Sequence, residues 1–276
     1  MKRRAVLHST VAAGLGVSFR GFAQEAGISI IDTNVSLFRW PFRRLPLDET
    51  GKLLAKMKQL GIAQALAGSF DGIVQRDVRL VNQALADECA GHPELVPVGT
   101  VNPALPGWER DFRECIEVHR MPGIRLHPNY HGFRLTDPRF KTLLKLAAQS
   151  GVLVQIAALF EDVRTQPEQF RADDVDLAPL ADLAIGKIQI LNWRPRGAVL
   201  EKLAARPEIS FDLARTESTD GVATLLDSVP AERVCFGTHA PFLIPEATLI
   251  RIFESNPAEA VLRKILQANA ERWMAK

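Results

Sequence analysis

Short apolar runs that end in polar residues alternate along the chain with segments in which apolar residues recur at helical spacing. The runs are typical of buried strands, and the spaced segments are typical of amphipathic helices. The predicted strands are residues 28–36, 62–67, 95–101, 123–128, 152–157, 187–191, 209–213 and 234–237. The predicted helices are residues 53–60, 78–89, 108–118, 140–149, 177–184, 199–205, 222–226, 248–253 and 258–274.

The order of these elements predicts the fold class. Eight strands, each followed by a helix, favour an α/β protein, a (β/α)8 TIM-type barrel built as a single domain from residues 28–276 with an extra C-terminal helix. No Gly-rich turn follows the first strand, which argues against a dinucleotide-binding Rossmann fold. The 276 residues are 47% hydrophobic and 24% charged, which is enough apolar material for one large core.

The first two dozen residues have a different pattern. Arg3 and Arg4 precede a weakly apolar run, and small residues around Ala23 follow it, so residues 1–23 are predicted to be a signal peptide of the twin-arginine type. The predicted location is therefore the bacterial periplasm; the alternative is a basic N-terminus on a cytoplasmic protein. No apolar run reaches the roughly 18 to 20 residues that cross a bilayer, so no membrane span is expected.

Charge and cysteine content narrow the function further. The net charge is +2, and the basic residues are scattered without aromatic neighbours, which excludes a typical nucleic-acid surface. Cys89, Cys115 and Cys235 are too widely spaced for a zinc motif, and their odd number defines no disulfide framework. We interpret them as small buried side chains. The remaining partners are a small-molecule substrate or ligand and, as an open option, a second copy in a homo-oligomer.

Polar side chains lie where several predicted strands end. In a barrel the carboxyl ends of all strands open into one mouth, so these side chains are expected to converge there. They are Asp32, Asn34, Ser36, Arg125, His127, Gln155, Asn192, Asp212 and His239. The mouth is therefore the predicted functional site.

Four motifs resemble those of a known family. They are Ile-Asp-x-Asn-x-Ser at 31–36, Gly-Ile-Arg-Leu-His-Pro at 123–128, Phe-Gly-Thr-His-Ala-Pro at 236–241, and Ile-Leu-x-x-Asn-Ala-x-Arg at 265–272. Together they look like the amidohydrolase-related family of metal-dependent hydrolases, also called amidohydrolase family 2. The resemblance implies a TIM barrel with a metal-dependent hydrolase site at its mouth.

The sequence departs from that family at the residues that would hold the metal. The resemblance places the family's His-x-His pair on Asn34 and Ser36, two further histidines on Gln155 and Asn192, and the strand-eight aspartate on His239. Amides and hydroxyls are poor ligands for zinc, so no catalytic metal is expected and no other cofactor is predicted. The alternative is a rebuilt metal site made of His127, His131 and His239.

The replacements are still hydrogen-bonding groups. Asn34, Ser36, Gln155 and Asn192 are predicted to bind polar groups of a substrate, with a purely structural polar network as the alternative. A guanidinium can hold a carboxylate through two hydrogen bonds, which makes Arg125 a candidate anion-binding residue. Arg39, in the basic and aromatic loop after the first strand, is a second candidate, although a rim ion pair explains such a residue equally well.

Three residues are candidates for acid–base chemistry. His127 is the first, because imidazole titrates near neutral pH and this residue ends a strand. His239 is the second, and His131 could act as a further catalytic, substrate-binding or lid residue. Asp212 could orient a histidine or accept a proton, or it could simply pair with Arg215. Each histidine could equally be a hydrogen-bonded structural group.

Two functions of different classes follow. The first is a hydrolase that acts without the family's usual metal on a small polar substrate, such as a carboxylated lactone or amide. The second is a catalytically silent barrel that binds a similar molecule. We expect chemistry if His127, His239 and Asp212 reach one pocket, and binding if they belong to separate networks.

Overall fold

The computed structural model describes residues 19–21, 25–166, 168 and 172–275. Nine strands are found in this part of the chain. They are β1 (Ile30–Leu37), β2 (Ile62–Ser69), β3 (Leu95–Pro97), β4 (Gly99–Thr100), β5 (Gly123–Leu126), β6 (Leu153–Ala157), β7 (Lys187–Leu191), β8 (Ile209–Asp212) and β9 (Val234–Cys235). The eight predicted strands are all present, and the third is divided into β3 and β4.

Helices follow the strands and cover the outside of the sheet. The α-helices are Thr50–Leu60, Asp71–Val74, Val78–Ala90, Trp108–Arg113, Pro128–His131, Pro138–Ser150, Leu180–Leu183, Gly197–Ala204, Gly221–Ser228, Pro245–Glu254, Glu259–Arg263 and Asn269–Met274. Short 3-10 turns occur at Val163–Thr165 and Ala231–Arg233. Two of the α-helices continue through π-helical turns, at Glu114–Val118 and Lys264–Ala268.

Parallel ladders join the strands into two sheets, ordered β1-β2-β3 and β4-β5-β6-β7-β8-β9. Val98 alone separates β3 from β4, and its N–H donates to the carbonyl of Ala67 in β2 at 2.8 Å. On the other side, Val35 of β1 forms a parallel bridge with Ala240, and the Thr33 N–H donates to the Phe236 carbonyl at 2.9 Å. The sheets therefore follow each other around an α/β barrel, although their ladders do not form one continuous ring.

The structure corrects several predicted boundaries. The eighth strand pairs only over Val234–Cys235, because Phe236 bonds instead to the Ile265 carbonyl and to Thr33. The predicted helix 258–274 is interrupted by its π-helical turn, in which the Ile265 carbonyl points to the Phe236 N–H at 2.9 Å. The helix predicted at 177–184 is shortened to Leu180–Leu183.

The barrel interior contains its own apolar cluster. Ile31, Leu66, Val98, Leu153 and Cys235 meet there from around the sheet, and Trp273 packs against them from the C-terminal helix. All three cysteines are buried and unpaired, which confirms their interpretation as small core side chains. Within the described residues, no helix is both long and apolar enough to span a bilayer.

Most of the predicted signal peptide lies outside the described residues. Of residues 1–23, only Phe19–Gly21 are described. Phe19 is buried, and its ring lies 5.1 Å from the ring of Phe253 between centroids. Export by the twin-arginine route stays a prediction.

Gly61 ends the helix Thr50–Leu60 in the left-handed region, with φ 76°. We predict that Gly61→Ala lowers the free energy of unfolding by about 1–2 kcal/mol, because a side chain is strained at this φ. The new Cβ would also lie 3.1 Å from the Cα of Arg20. Chemical denaturation measures the change. Gly51→Ala is the control: it lies inside the same helix with open space around it, and it should leave stability unchanged or raise it by up to about 1 kcal/mol.

Candidate ligand-binding site at the carboxyl ends of the strands

Three predicted site residues form one hydrogen-bonded unit. Asn34, inside β1, donates from Nδ2 to Asn192 Oδ1 at 2.7 Å and to Asp212 Oδ2 at 2.6 Å. The backbone N–H of Asn192 donates to the other carboxyl oxygen of Asp212 at 3.0 Å. Asn192 has φ 58°, a region that asparagine tolerates better than most residues. β1 is thus tied to the ends of β7 and β8.

Two buried carboxyl groups of this region have raised pKa values. Burial raises the pKa of Asp212 from 3.8 to about 7, although the hydrogen bonds from Asn34 and Asn192 oppose the shift. Burial likewise raises the pKa of Asp32 to about 6. Asp32 accepts hydrogen bonds from the Thr238 hydroxyl at 2.6 Å and from the Thr238 and Asn34 N–H groups at 3.0 Å. Asp32 therefore joins β1 to the segment after β9.

Arg125 is a buried cation in the middle of the site. Its Nε donates to Gln155 Oε1 at 2.9 Å, Nη1 donates to the Val35 carbonyl at 2.8 Å, and Nη2 donates to the Leu66 carbonyl at 3.2 Å. Nη1 also lies 3.4 Å from the Ser36 hydroxyl. Burial lowers the pKa of Arg125 to about 10, so the guanidinium remains charged at neutral pH. Its donors bind the protein's own acceptors on β1, β2 and β6.

The network continues along the barrel interior. Gln155 Nε2 donates to the Thr33 carbonyl and to Gln189 Oε1, both at 2.8 Å. Gln189 Nε2 donates in turn to the Thr33 hydroxyl at 2.9 Å. Two of the three predicted substrate-binding amides, Asn34 and Gln155, thus have protein partners for their N–H groups. The structural alternative for these groups is the one that the geometry favours.

Three of the four ring nitrogens of His127 and His131 have no hydrogen-bond partner. Both ring nitrogens of His127 and the Nδ1 of His131 are buried and accept or donate no hydrogen bond in the described structure. The two rings are 5.6 Å apart between centroids. His131 Nε2 lies 2.9 Å from the Gly72 carbonyl, so it carries the proton and leaves Nδ1 as an acceptor. Burial lowers the pKa of both imidazoles, that of His131 to about 4.

His239 is held by the backbone of Phe160. Its Nε2 donates to the Phe160 carbonyl at 2.6 Å, and burial lowers its pKa to about 3. The Phe160 ring is 5.4 Å from the ring of His127 and 5.0 Å from that of His239, so it contacts both imidazoles. In the part of the chain that the structure describes, no group of three or more His, Cys, Asp or Glu side chains could hold a metal ion.

Aromatic side chains fill the barrel mouth above these histidines. Trp40 is in ring contact with Phe42, Phe70, Tyr130, Phe160 and Phe242, at centroid distances of 5.0 to 6.4 Å. Trp40 and Phe160 are each only 2% exposed. The mouth that was predicted to receive a substrate is therefore closed by packed rings in this structure.

Arg39 is not part of the mouth. It is exposed and lines a separate surface cleft of about 660 Å³ with Asp48, Glu49, Asp71 and His92. The structure therefore does not bring Arg39 together with the other predicted residues. Its neighbour in the sequence, Trp40, is the residue of this loop that enters the mouth.

A second cleft reaches the polar network from outside. It measures about 250 Å³, and among its lining residues are Asn192, Trp193, Arg194, Arg196 and Asp174. Asn192 is 1% exposed, and its Nδ2 has no hydrogen-bond partner. Sequence analysis did not identify three cleft residues that lie after Asn192, namely Trp193, Arg194 and Arg196. The signal that could have found them is the sequence Asn-Trp-Arg-Pro-Arg at 192–196, which places an aromatic ring and two cations directly after a strand end.

The side chains around this cleft provide one aromatic ring and charges of both signs. The Trp193 ring lies almost parallel to Phe211, with centroids 5.9 Å apart. Arg194 pairs with Glu217 at 3.0 Å, whereas Arg196 is exposed and has no ion pair with any described residue. Asp174 and Asp176 also line the cleft, so its charge is mixed.

A family model described as Amidohydrolase matches residues 41–274, which is most of the chain. The chain belongs to the amidohydrolase family. This confirms the resemblance inferred from the four motifs. No curated protein matches the sequence significantly.

Solved structures of the amidohydrolase fold are similar over nearly their whole length. 5-Carboxyvanillate decarboxylase LigW from Sphingomonas paucimobilis is 15% identical, with 90% of this chain and 99% of that chain covered and a TM-score of 0.71. The TIM-barrel protein Bb4693 from Bordetella bronchiseptica is 18% identical, with 89% and 98% covered and a TM-score of 0.67. At these identities the likeness shows the fold, which is the predicted TIM barrel.

A third structure contains a metal. It is 5-carboxyvanillate decarboxylase from Novosphingobium aromaticivorans, complexed with manganese and 4-hydroxy-3-methoxy-5-nitrobenzoic acid; it is 16% identical, with 91% and 97% covered and a TM-score of 0.69. In the present chain, the residues at the family's ligand positions do not fit a metal. Asn34 presents N–H donors, and the Arg125 guanidinium lies against Ser36 and Gln155, where its charge would repel a divalent cation.

The contacts of Arg125 predict a large stability effect. We expect Arg125→Met to lower the free energy of unfolding by about 3–5 kcal/mol, because several buried acceptors lose their donor. Denaturant unfolding followed by circular dichroism measures the loss. Arg139→Met is the control; its partner is Asp137 on the surface, and it should cost no more than about 1 kcal/mol. A loss as small as the control's would contradict the assigned role.

The raised pKa of Asp212 predicts a pH dependence. Between about pH 4 and pH 7 the folded protein keeps the Asp212 proton that the unfolded chain has released. The free energy of unfolding should therefore fall as pH rises through this window, by up to about 1.4 kcal/mol per pH unit for this group. We expect Asp212→Asn to flatten the slope, measured by denaturation between about pH 5 and about pH 8. Asp137→Asn should leave the slope unchanged, since a hydrogen bond from Arg139 lowers the pKa of Asp137 to about 2.

Proposed function

We propose that this amidohydrolase-family barrel binds a small carboxylated ring compound in the cleft at Asn192 and does so without the family's metal. The observation that carries the proposal is the amide of Asn192, which is buried in the cleft wall and has an unpartnered Nδ2. Buried polar groups of native proteins almost always have partners. A carboxylate or carbonyl oxygen of a ligand would supply the missing acceptor.

The surroundings of Asn192 suit such a ligand. A ring can pack on Trp193, and the guanidinium of Arg196 is free to hold a carboxylate through paired hydrogen bonds. A volume of about 250 Å³ suits a single substituted ring rather than a larger molecule. Because Asp174 and Asp176 also line the cleft, a ligand with one carboxylate is favoured over a polyanion.

The choice of ligand is also supported by the relatives. The names of two similar structures specify decarboxylases of 5-carboxyvanillate and 2,6-dihydroxybenzoate, both of which are carboxylated rings. A binding role is favoured over catalysis because the candidate catalytic groups belong to separate networks. Asp212 is fixed by Asn34 and Asn192, and His239 is fixed by the Phe160 carbonyl. Neither group lines the cleft.

Metal-independent hydrolysis of a carboxylated lactone or amide is the second candidate. It is favoured by one observation, the free ring nitrogens of His127, which as a neutral imidazole could remove a proton from water. In this hypothesis the substrate reaches His127 through an opened mouth. Both proposals include export to the periplasm, where the protein would meet such compounds before they enter the cytoplasm.

The binding proposal is tested by titration calorimetry with benzoate-type and carboxylated lactone probes. We expect saturable binding by the wild-type protein and a loss of affinity of about tenfold or more in Arg196→Gln, since a hydrogen bond to a charged group contributes about 1.5–3 kcal/mol. Asn192→Asp should weaken binding similarly, because it replaces a donor by a negative charge while tolerating the backbone conformation.

Arg79→Gln is the matched control, since this exposed arginine lies on the helix Val78–Ala90 and lines neither cleft. Equal affinities in all variants would contradict the assigned site. The same probes are assayed for ring opening or amide cleavage. Turnover that persists in Arg196→Gln but is lost in His127→Gln would support hydrolysis over binding.

A further inference from the structure

The buried His127 and the partly buried His131 beside it form a second site. Three of the four ring nitrogens have no partner among the described residues, and neither ring lines the cleft at Asn192. Unpartnered buried polar atoms are uncommon and require an explanation in each case. These two histidines therefore have free ring nitrogens that the proposed binding site does not use.

Two loops close over this pair. The loop after β1 contributes Trp40, and the loop after β6 contributes Phe160, whose rings lie 5.5 Å apart and nearly parallel. Phe160 also packs edge-on against the ring of His127. Both aromatic side chains are buried, and His127 is only 1% exposed, so solvent reaches the His127 imidazole only if these loops separate.

Glu161 connects the two loops directly. Its Oε2 accepts from the Trp40 indole N–H at 3.1 Å, and its Oε1 accepts from Arg43 Nε at 2.8 Å. The Glu161 side chain is 2% exposed, whereas that of Arg43 is 45% exposed. Both oxygens of this buried carboxylate therefore bind groups of the opposite loop.

We propose that Glu161 is the latch of a lid that seals His127 from solvent. When both of its bonds are broken, the loop that carries Trp40 moves away and the imidazole of His127 becomes accessible. Both bonds contribute to the latch, because both end on the same buried carboxylate. This inference concerns a chamber separate from the proposed binding cleft, so either can fail without the other.

Carbethoxylation by diethyl pyrocarbonate, followed by peptide mass spectrometry, tests the latch. The reagent modifies accessible neutral imidazoles, and the half-buried His92 in the other surface cleft serves as an internal reference. We expect wild-type His127 to react at least about tenfold more slowly than His92. Glu161→Ala should raise the rate at His127 about tenfold or more and leave that at His92 unchanged.

Two milder variants separate the halves of the latch. Trp40→Phe keeps a ring in the mouth but removes the indole N–H, and Arg43→Ala removes the ion pair. Each should increase the labelling of His127 by less than Glu161→Ala does. Trp40→Phe also carries the test if Glu161→Ala does not fold, which circular dichroism would reveal. Wild-type labelling of His127 as fast as that of His92 would overturn the proposal. Unchanged labelling of His127 in folded Glu161→Ala, or in Trp40→Phe if that variant carries the test, would overturn it as well.

Discussion

The buried guanidinium of Arg125 is the interaction on which the functional end of the barrel depends. A charge removed from water is tolerated only when its donors are matched by acceptors, and here carbonyls of β1 and β2 and the amide of Gln155 supply them. Gly68 makes room for it, since a Cβ there would lie 2.7 Å from Nη1. The fixed guanidinium of Arg125 thus holds β1, β2 and β6 together in a region where the resemblance implies a metal ion.

This arrangement changes what the barrel can do. Asn34, Gln155 and Asp212 form their hydrogen bonds with other groups of the protein, so the polar network of the mouth is largely structural. Among the polar atoms left without partners are Asn192 Nδ2, beside an outer cleft, and three ring nitrogens of His127 and His131. Family membership therefore fixes the scaffold but not the chemistry of the mouth.

Much of the fold could be predicted from the sequence, because strand and helix periodicities differ and are repeated eight times. The convergence of Asn34, Asn192 and Asp212 could also be predicted, since parallel strands end at one mouth. Periodicity does not reveal side-chain contacts, so it could not show that Gln155 binds Arg125 or that the Phe160 ring contacts both His127 and His239. It also missed the role of Trp40, which was overlooked beside the more obvious charge of Arg39.

The bond between the Thr33 N–H and the Phe236 carbonyl joins residues far apart in the chain, and the Ile265 carbonyl in turn accepts from Phe236. Contacts between such distant residues form late, because the entropy of closing the intervening loop must be overcome first. During synthesis β1 therefore keeps this edge unpaired until the segment around Phe236 has left the ribosome. An unpaired strand edge can pair with other strands, so the nascent chain is open to misassociation until then.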